Sequence, residues 1–247
     1  GGTSYAPDSR VLEVGCGVGA QTRILLRRNP GIQLTSIDLS GSSLEKARRG
    51  LEAEGCSGVD FLEADIMDRP FEKTSFDHIF VCFVLEHLED PLEALLIMKE
   101  MLVPGGTLTL IEGDHGTAVW TPESRASRDA WEGLVQSQRM LGHDPHIGRR
   151  LFPLLEEAGL GRILVEPRPA YADRSDPVLL DGAVNKIICP MVGSAREHVL
   201  ENGLVEAAVW EQGMEDLSGI ATHQKGSFFY SWFKATAKRG KVSFLFD

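Results

Sequence analysis

Residues 11–20 read VLEVGCGVGA, an apolar run interrupted by one acid and then glycine at every second position: Gly15, Gly17 and Gly19. The apolar run predicts a buried strand. The glycines predict a strand-to-helix turn whose backbone can approach a ligand and aim helix-terminal N–H groups at it. As G-x-G-x-x-A, residues 15–20 also satisfy a dinucleotide fingerprint, and Asp38 stands about twenty residues on, where that motif places its ribose-binding acid. The glycines alone leave the ligand open.

Outward from this turn, apolar runs alternate with helical patterns, the signature of strand-helix-strand units around a parallel sheet. A helix is expected over about residues 20–28, stopped by Asn29-Pro30-Gly31. A second strand, IQLTSID, ends on Asp38, and Ser42-x-x-Glu45 reads as a capping box for a helix with Leu44, Ala47 and Leu51 on one face. VDFLEAD is a third strand ending on Asp65, and FDHIFVCF is a fourth whose unbroken apolar middle predicts burial on both faces. Asp90, Pro91 and Glu93 read as N-cap, N1 and N3 of a helix running to Leu102, with Pro104-Gly105-Gly106 ending it. TLTLIE is the fifth strand, finishing at Glu112.

Beyond residue 116 the pattern changes. Thr121-Pro122 is expected to open a helix with Trp131, Leu134, Val135 and Leu141 on one face, and a second helix spans Arg149 to Ala158 before Gly159. RILVEPR is a sixth strand, helical material interrupted by Pro190 covers about 177–217, and the aromatic SFFYSWFKATA returns as a last strand. Helical cap elements are thus expected at about 116–159 and 174–220, around a core of 8–115, 160–172 and 226–238 within one domain spanning 1–247. The cap is the expected selector of substrate, with Trp120, Trp131, His143, His146, Arg149 and Tyr171 as candidate pocket groups.

Composition narrows the partners. The 247 residues carry 25 basic and 36 acidic side chains, a net charge of −11 that opposes attraction to phosphate backbones and anionic lipid. A small-molecule substrate is expected, with neither nucleic acid nor membrane as partner, and the chain as monomer or homodimer. No stretch reaches the roughly 18–20 apolar residues of a membrane span, and no leader opens the chain, so a cytoplasmic protein is expected. Cys16, Cys56, Cys82 and Cys189 lie far apart without metal-ligand spacing, and no metal is expected.

What resolves the glycine turn is its company. Glu13 precedes Gly15 by two positions, Asp38 and Asp65 close two strands, and an acidic-aromatic turn follows the fourth. VLEVGCGVG, SIDLS, FLEADIMDRPF, FDHIFVCFVLEHLEDP and MLVPGGTLTLIE together resemble, in order over roughly residues 10–115, the motifs of class I S-adenosylmethionine-dependent methyltransferases. Ring methyltransferases of quinone biosynthesis show a similar core. The resemblance implies an α/β, Rossmann-like, doubly wound sheet of seven strands in the order 3-2-1-4-5-7-6, the last antiparallel. It also implies S-adenosyl-L-methionine as cofactor and S-adenosyl-L-homocysteine as product. The family usually carries a helical segment before its first strand; here about ten residues precede Val11.

The implied cofactor residues are Glu13, Gly15, Cys16, Gly17, Asp38, Leu39, Asp65, Ile66 and Phe83. Asp38 would accept from the ribose hydroxyls and Asp65 from the adenine amino group, while Leu39 and Ile66 sandwich the ring. Glu13 would bond loop amides and position the methionine moiety through water. Cys16 reads as a small filler whose backbone does the work. A cationic sulfonium suits this acidic edge better than a pyrophosphate does.

Methyl transfer to an N, O, S or C atom is an in-line displacement in which alignment supplies much of the catalysis. His87, His115 and Asp114 are candidates for any proton removal, and Glu86, Glu112, Trp120 and Tyr171 for acceptor binding. The rival readings are an NAD-dependent oxidoreductase and a module that binds S-adenosylmethionine without turnover. Aminopropyl transfer is more distant, because the paired aspartates it needs are not evident at residues 83–89.

Overall fold

The computed structural model describes residues 3–240. Its strands and helices follow the expected alternation: β1 (Arg10–Val14), α1 (Ala20–Arg28), β2 (Gln33–Asp38), α2 (Gly41–Ala53), β3 (Val59–Glu63), β4 (Phe76–Cys82), α3 (Pro91–Met101) and β5 (Leu102–Gly113). After β5 come β6 (Val119–Thr121), α4 (Arg125–Met140), α5 (Leu151–Glu157) and β7 (Gly161–Asp173). The rest is helical, with α6 (Pro177–Ala183), α7 (Cys189–Gly193), α8 (Arg196–Glu201) and α9 (Ala207–Gly219), until the final β8 (Ser227–Lys238).

The sheet runs β3-β2-β1-β4-β5-β8-β6, with β7 also paired to β8. β1 lies parallel to β2 and β4, β2 to β3 and β4 to β5, whereas β6 pairs antiparallel with β8. This is the expected doubly wound order with one addition. Seven strands were expected and eight are found, because Val119–Thr121 pairs with Ser227–Phe229 as a three-residue strand.

Two compact units divide the chain. Of the described residues the first comprises 3–112, 148–166 and 233–240; the second comprises 113–147 and 167–232. In the first, Val11, Leu25, Leu34 and Phe80 pack with Tyr5 and Ile32. Such burial stabilises by about 1.5–3 kcal/mol per large apolar side chain. In the second, Trp120, Trp131, Trp210 and Phe228 centre a separate core fed by α4 and α9.

Several boundaries differ from expectation for local reasons. Ser40, not Ser42, caps α2, accepting from Ser43 N–H at 3.2 Å. The Asp90 cap of α3 is as read, its carboxylate accepting from Glu93 N–H at 2.9 Å, but α3 stops at Met101. Pro104-Gly105-Gly106 is part of β5 because its backbone is paired: Gly105 N–H donates to Arg239 O at 3.0 Å and Arg239 N–H to Gly106 O at 2.9 Å. Thr121-Pro122 ends β6, and α4 begins three residues later behind a Ser124–Ser127 capping box. Trp131, Leu134 and Val135 are buried along α4, whereas Leu141 is its exposed C-cap residue. Pro190 does not end the helical run but sits in the first turn of α7, directly after the π-helical turn Val184–Ile188.

Candidate active site

The turn after β1 is held by backbone. Gly15 N–H and Cys16 N–H both donate to Ile37 O, at 2.8 and 3.0 Å, which docks the turn on the end of β2. Gly15 has φ +70°, and a Cβ there would stand 2.3 Å from Val84 Cγ2. Gly17, φ +53°, has nothing within 4 Å of a Cβ position, so its surroundings are open. The two glycines therefore serve differently: one is required by a close neighbour, the other leaves free space.

Asp38 sits at the carboxyl end of β2 and grips this turn. Its Oδ2 accepts from Gly17 N–H at 2.8 Å and its Oδ1 from Ser40 N–H at 2.9 Å. Each carboxylate oxygen keeps further acceptor capacity. Glu13, one strand over, is buried beneath the turn, and its Oε2 accepts from Thr22 Oγ1 at 2.6 Å and Ser36 Oγ at 2.7 Å. Its hydrogen-bond partners are these hydroxyls instead of the expected loop amides. Burial raises the Glu13 pKa, and the two hydroxyls oppose the rise. The Cys16 thiol is pushed up to about 12, chiefly by burial and then by Glu13 and Asp38, which removes it as a nucleophile.

At the next strand ends, Asp65 caps a short helical turn, accepting from Met67 N–H at 2.8 Å. Ile66 is buried, while Leu39 is 66% exposed. After β4, Phe83 has φ +57° and is 40% exposed. A bulky aromatic in the left-handed region is a strained conformation, and such residues cluster at functional sites. Beyond it, Glu86 is buried and the His87 imidazole lies 3.5 Å from its Oε1, with the His87 side chain 52% exposed.

Glu112 reaches back to the same segment from β5. Its Oε1 accepts from Val84 N–H at 3.1 Å and Leu85 N–H at 3.0 Å, while its Oε2 has no partner among the described residues. Burial lifts its pKa to about 8, held back by the backbone N–H groups of Leu85, Val84 and Glu86 and raised further by the Glu86 carboxylate. Glu112 is thus a carboxyl mostly protonated at neutral pH, with one oxygen uncommitted.

Asp114, His115, Trp120 and Tyr171 belong to the second unit. Asp114 is buried and accepts from Gly116 N–H at 3.0 Å. His115 is buried too; its Nδ1 shares a hydrogen bond of 3.0 Å with the Tyr230 hydroxyl, and its carbonyl accepts from the Trp131 indole N–H at 3.1 Å. Trp120 is 2% exposed in the aromatic core and donates its indole N–H to Ser127 Oγ at 3.0 Å. Tyr171, on β7, is 60% exposed.

In the first unit, the structure brings Gly15, Gly17, Asp38 and Glu13 together around one turn, and Glu112 together with Glu86 behind Phe83. Sequence reasoning passed over Thr22, Ser36, Val84 and Tyr230. Only Ser36 had a readable signal, since in a parallel β1–β2 register it stands opposite Glu13.

Comparison with known proteins fits this geometry. Residues 12–110 match the family model described as "Methyltransferase domain". Over 176 residues the chain is 31% identical to an uncharacterized protein of Synechococcus, covering 70% of this chain and 41% of that protein. It is 32% identical over 110 residues to the ubiquinone/menaquinone biosynthesis C-methyltransferase of Geotalea daltonii, covering 44% of this chain and 47% of the relative. The chain thus spans less than half the length of these curated relatives. Phosphoethanolamine N-methyltransferase 2 of Haemonchus contortus, solved with phosphomonomethylethanolamine and S-adenosylhomocysteine, shares the fold with a TM-score of 0.61 at 18% identity, over 96% of this chain and 50% of that one. Over residues 12–110 the chain is thus similar to methyltransferase domains.

Proposed function

We propose that this chain transfers a methyl group from S-adenosyl-L-methionine to a small-molecule acceptor. The observation that carries the reading is the Asp38 carboxylate holding Gly17 N–H at 2.8 Å, beside the open space over Gly17. Exposed Leu39 and Phe83, at the ends of β2 and β4, are large apolar side chains that a bound ring would cover. The family match and the relatives named as methyltransferases support the same reading.

In this reading Asp38 accepts from the ribose hydroxyls through its remaining lone pairs, and Asp65 accepts from the adenine amino group. Leu39, Ile66 and Phe83 flank the ring. The backbone of Gly15, Cys16 and Gly17 lies against the methionine end, with Glu13 behind it. When bound, the cofactor supplies an electrophilic methyl group on a sulfonium that departs as a neutral thioether. Glu86 and Glu112 orient the acceptor. A proton leaving the acceptor passes to His87. We read both compact units as parts of one methyltransferase domain, cytoplasmic and monomeric or homodimeric. No helix among the described residues is long and apolar enough to cross a membrane.

The test is release of label from methyl-labelled cofactor into fractions of a metabolite extract, for the native chain and for Asp38→Ala. The reading predicts transfer into a small-molecule fraction that the variant loses by at least about 100-fold, the scale of losing cofactor positioning. No transfer into any fraction, with adenosylhomocysteine still bound, would instead favour a non-catalytic binding module.

A further inference from the structure

The second unit contains a hollow lined, Tyr171 apart, by residues to which no cofactor or acceptor role is given above. It measures about 110 Å³ and lies between β7, α6, the π-helical turn Val184–Ile188 and β8. Its walls are Tyr171, Leu179, Ile187, Phe228, Tyr230 and Trp232. Ile188 and three alanines, at 170, 172 and 183, complete the lining, and the alanines leave the room that larger side chains would fill.

Three features set this hollow apart from ordinary surface. Its lining contains no lysine, arginine, histidine, aspartate or glutamate. Large apolar side chains are exposed in and beside it, with Ile187 at 63%, Leu179 at 53% and neighbouring Val178 at 80%, where a solvated surface favours polar groups. It is also bordered by a π-helical turn, a local geometry that is rare and recurs at functional sites.

We infer that this hollow binds the apolar body of an uncharged small molecule, one aromatic ring or a short alkyl segment in size. The volume decides the size, since an apolar cavity of about 150 Å³ accommodates benzene. The lining decides the charge. An ionised group placed here would lose hydration with no counter-charge to replace it. The phenol of Tyr230, which shares a hydrogen bond with His115 Nδ1, is a polar atom in the wall able to orient a ligand hydroxyl or carbonyl. This inference concerns the second unit alone and stands whether or not the methyltransferase reading holds.

The test titrates 4-propylphenol and 4-propylbenzoate, equal in body and different in charge, with binding followed by saturation-transfer NMR and Trp fluorescence. Saturable binding of the phenol is expected, at least tenfold tighter than that of the benzoate. Ile187→Asp and Leu179→Asp, both at exposed positions, should weaken the phenol at least tenfold at unchanged melting temperature and unchanged S-adenosylhomocysteine affinity. The proposal fails if both variants bind the phenol as the native chain does, if the benzoate binds equally well, or if neither probe saturates. A chain ending at Gly240 should bind like the full one. A large gain on that truncation would make residues 241–247 the occupant and overturn the small-molecule assignment.

Discussion

Two buried glutamates of the first unit, Glu13 under the glycine turn and Glu112 behind Phe83, share one problem and meet it differently. Burial raises both pKa values. Glu13 is answered by two side-chain hydroxyls at 2.6 and 2.7 Å. Glu112 is answered by two backbone N–H groups on one oxygen, leaving the other without a partner among the described residues. A buried polar atom without a partner costs about 1–3 kcal/mol, so it persists where something else favours it. The glycine turn is accordingly the fixed half of the site. The segment 83–87, with its left-handed Phe83, is the half kept ready for a changing partner.

The largest test of the fixed half is Gly15→Ala. The left-handed backbone costs about 1–2 kcal/mol and the clash with Val84 about 1–3 more, so the variant should lose roughly 2–5 kcal/mol in denaturant unfolding. Gly17→Ala meets no neighbour within 4 Å and should lose only the backbone part. Equal losses at the two positions would break the distinction between them. Next in size is Asp38→Ala, which strips the acceptor from Gly17 and Ser40 N–H. A stability loss of about 1–3 kcal/mol is expected by the same unfolding measurement.

Glu112 is probed through pH. Its folded pKa of about 8 lies above the ordinary glutamate value of 4.5, so between these values the folded state holds a proton that the unfolded state has released. Its contribution is therefore complete below about pH 4.5 and is lost as pH rises through about 8. Glu112→Gln keeps the acceptor for Val84 and Leu85 N–H without titrating. Melting temperatures across pH 5–9 should fall less steeply for the variant than for the native chain, and parallel curves would contradict the raised pKa. The smallest effect is expected at Cys16. With its thiol at about 12, native protein at pH 8 should resist alkylation there by at least about tenfold relative to unfolded chain, read by peptide mass spectrometry.

These contrasts also mark what a sequence exposes. The order of strands was legible because burial on both faces of a parallel sheet writes unbroken apolar runs such as Ile79–Val81. The Asp90-Pro91-x-Glu93 cap was legible because its determinants are local. Ser42 misled because the turn before α2 sets the cap: Asp38 accepts from Ser40 N–H two residues on and thereby places Ser40 at the helix start. Pro104-Gly105-Gly106 misled for a tertiary reason, since its pairing partner, Arg239, lies more than a hundred residues away. β6 is three residues long and left no periodicity to read. In the site, the strand-end acids stood out by position, whereas the partners of Glu13 and His115 came from other elements.

The central claim is that the turn gripped by Asp38 is a seat for an adenosyl sulfonium. Calorimetric titration with S-adenosylmethionine, S-adenosylhomocysteine and NADH tests it most directly, on the native chain and on Asp38→Asn, which retains one acceptor oxygen. The account predicts single-site binding of both sulfur ligands, none of NADH, and affinity at least tenfold weaker in the variant. Native chain that binds NADH in preference, or a variant that binds the sulfur ligands unchanged, would contradict it.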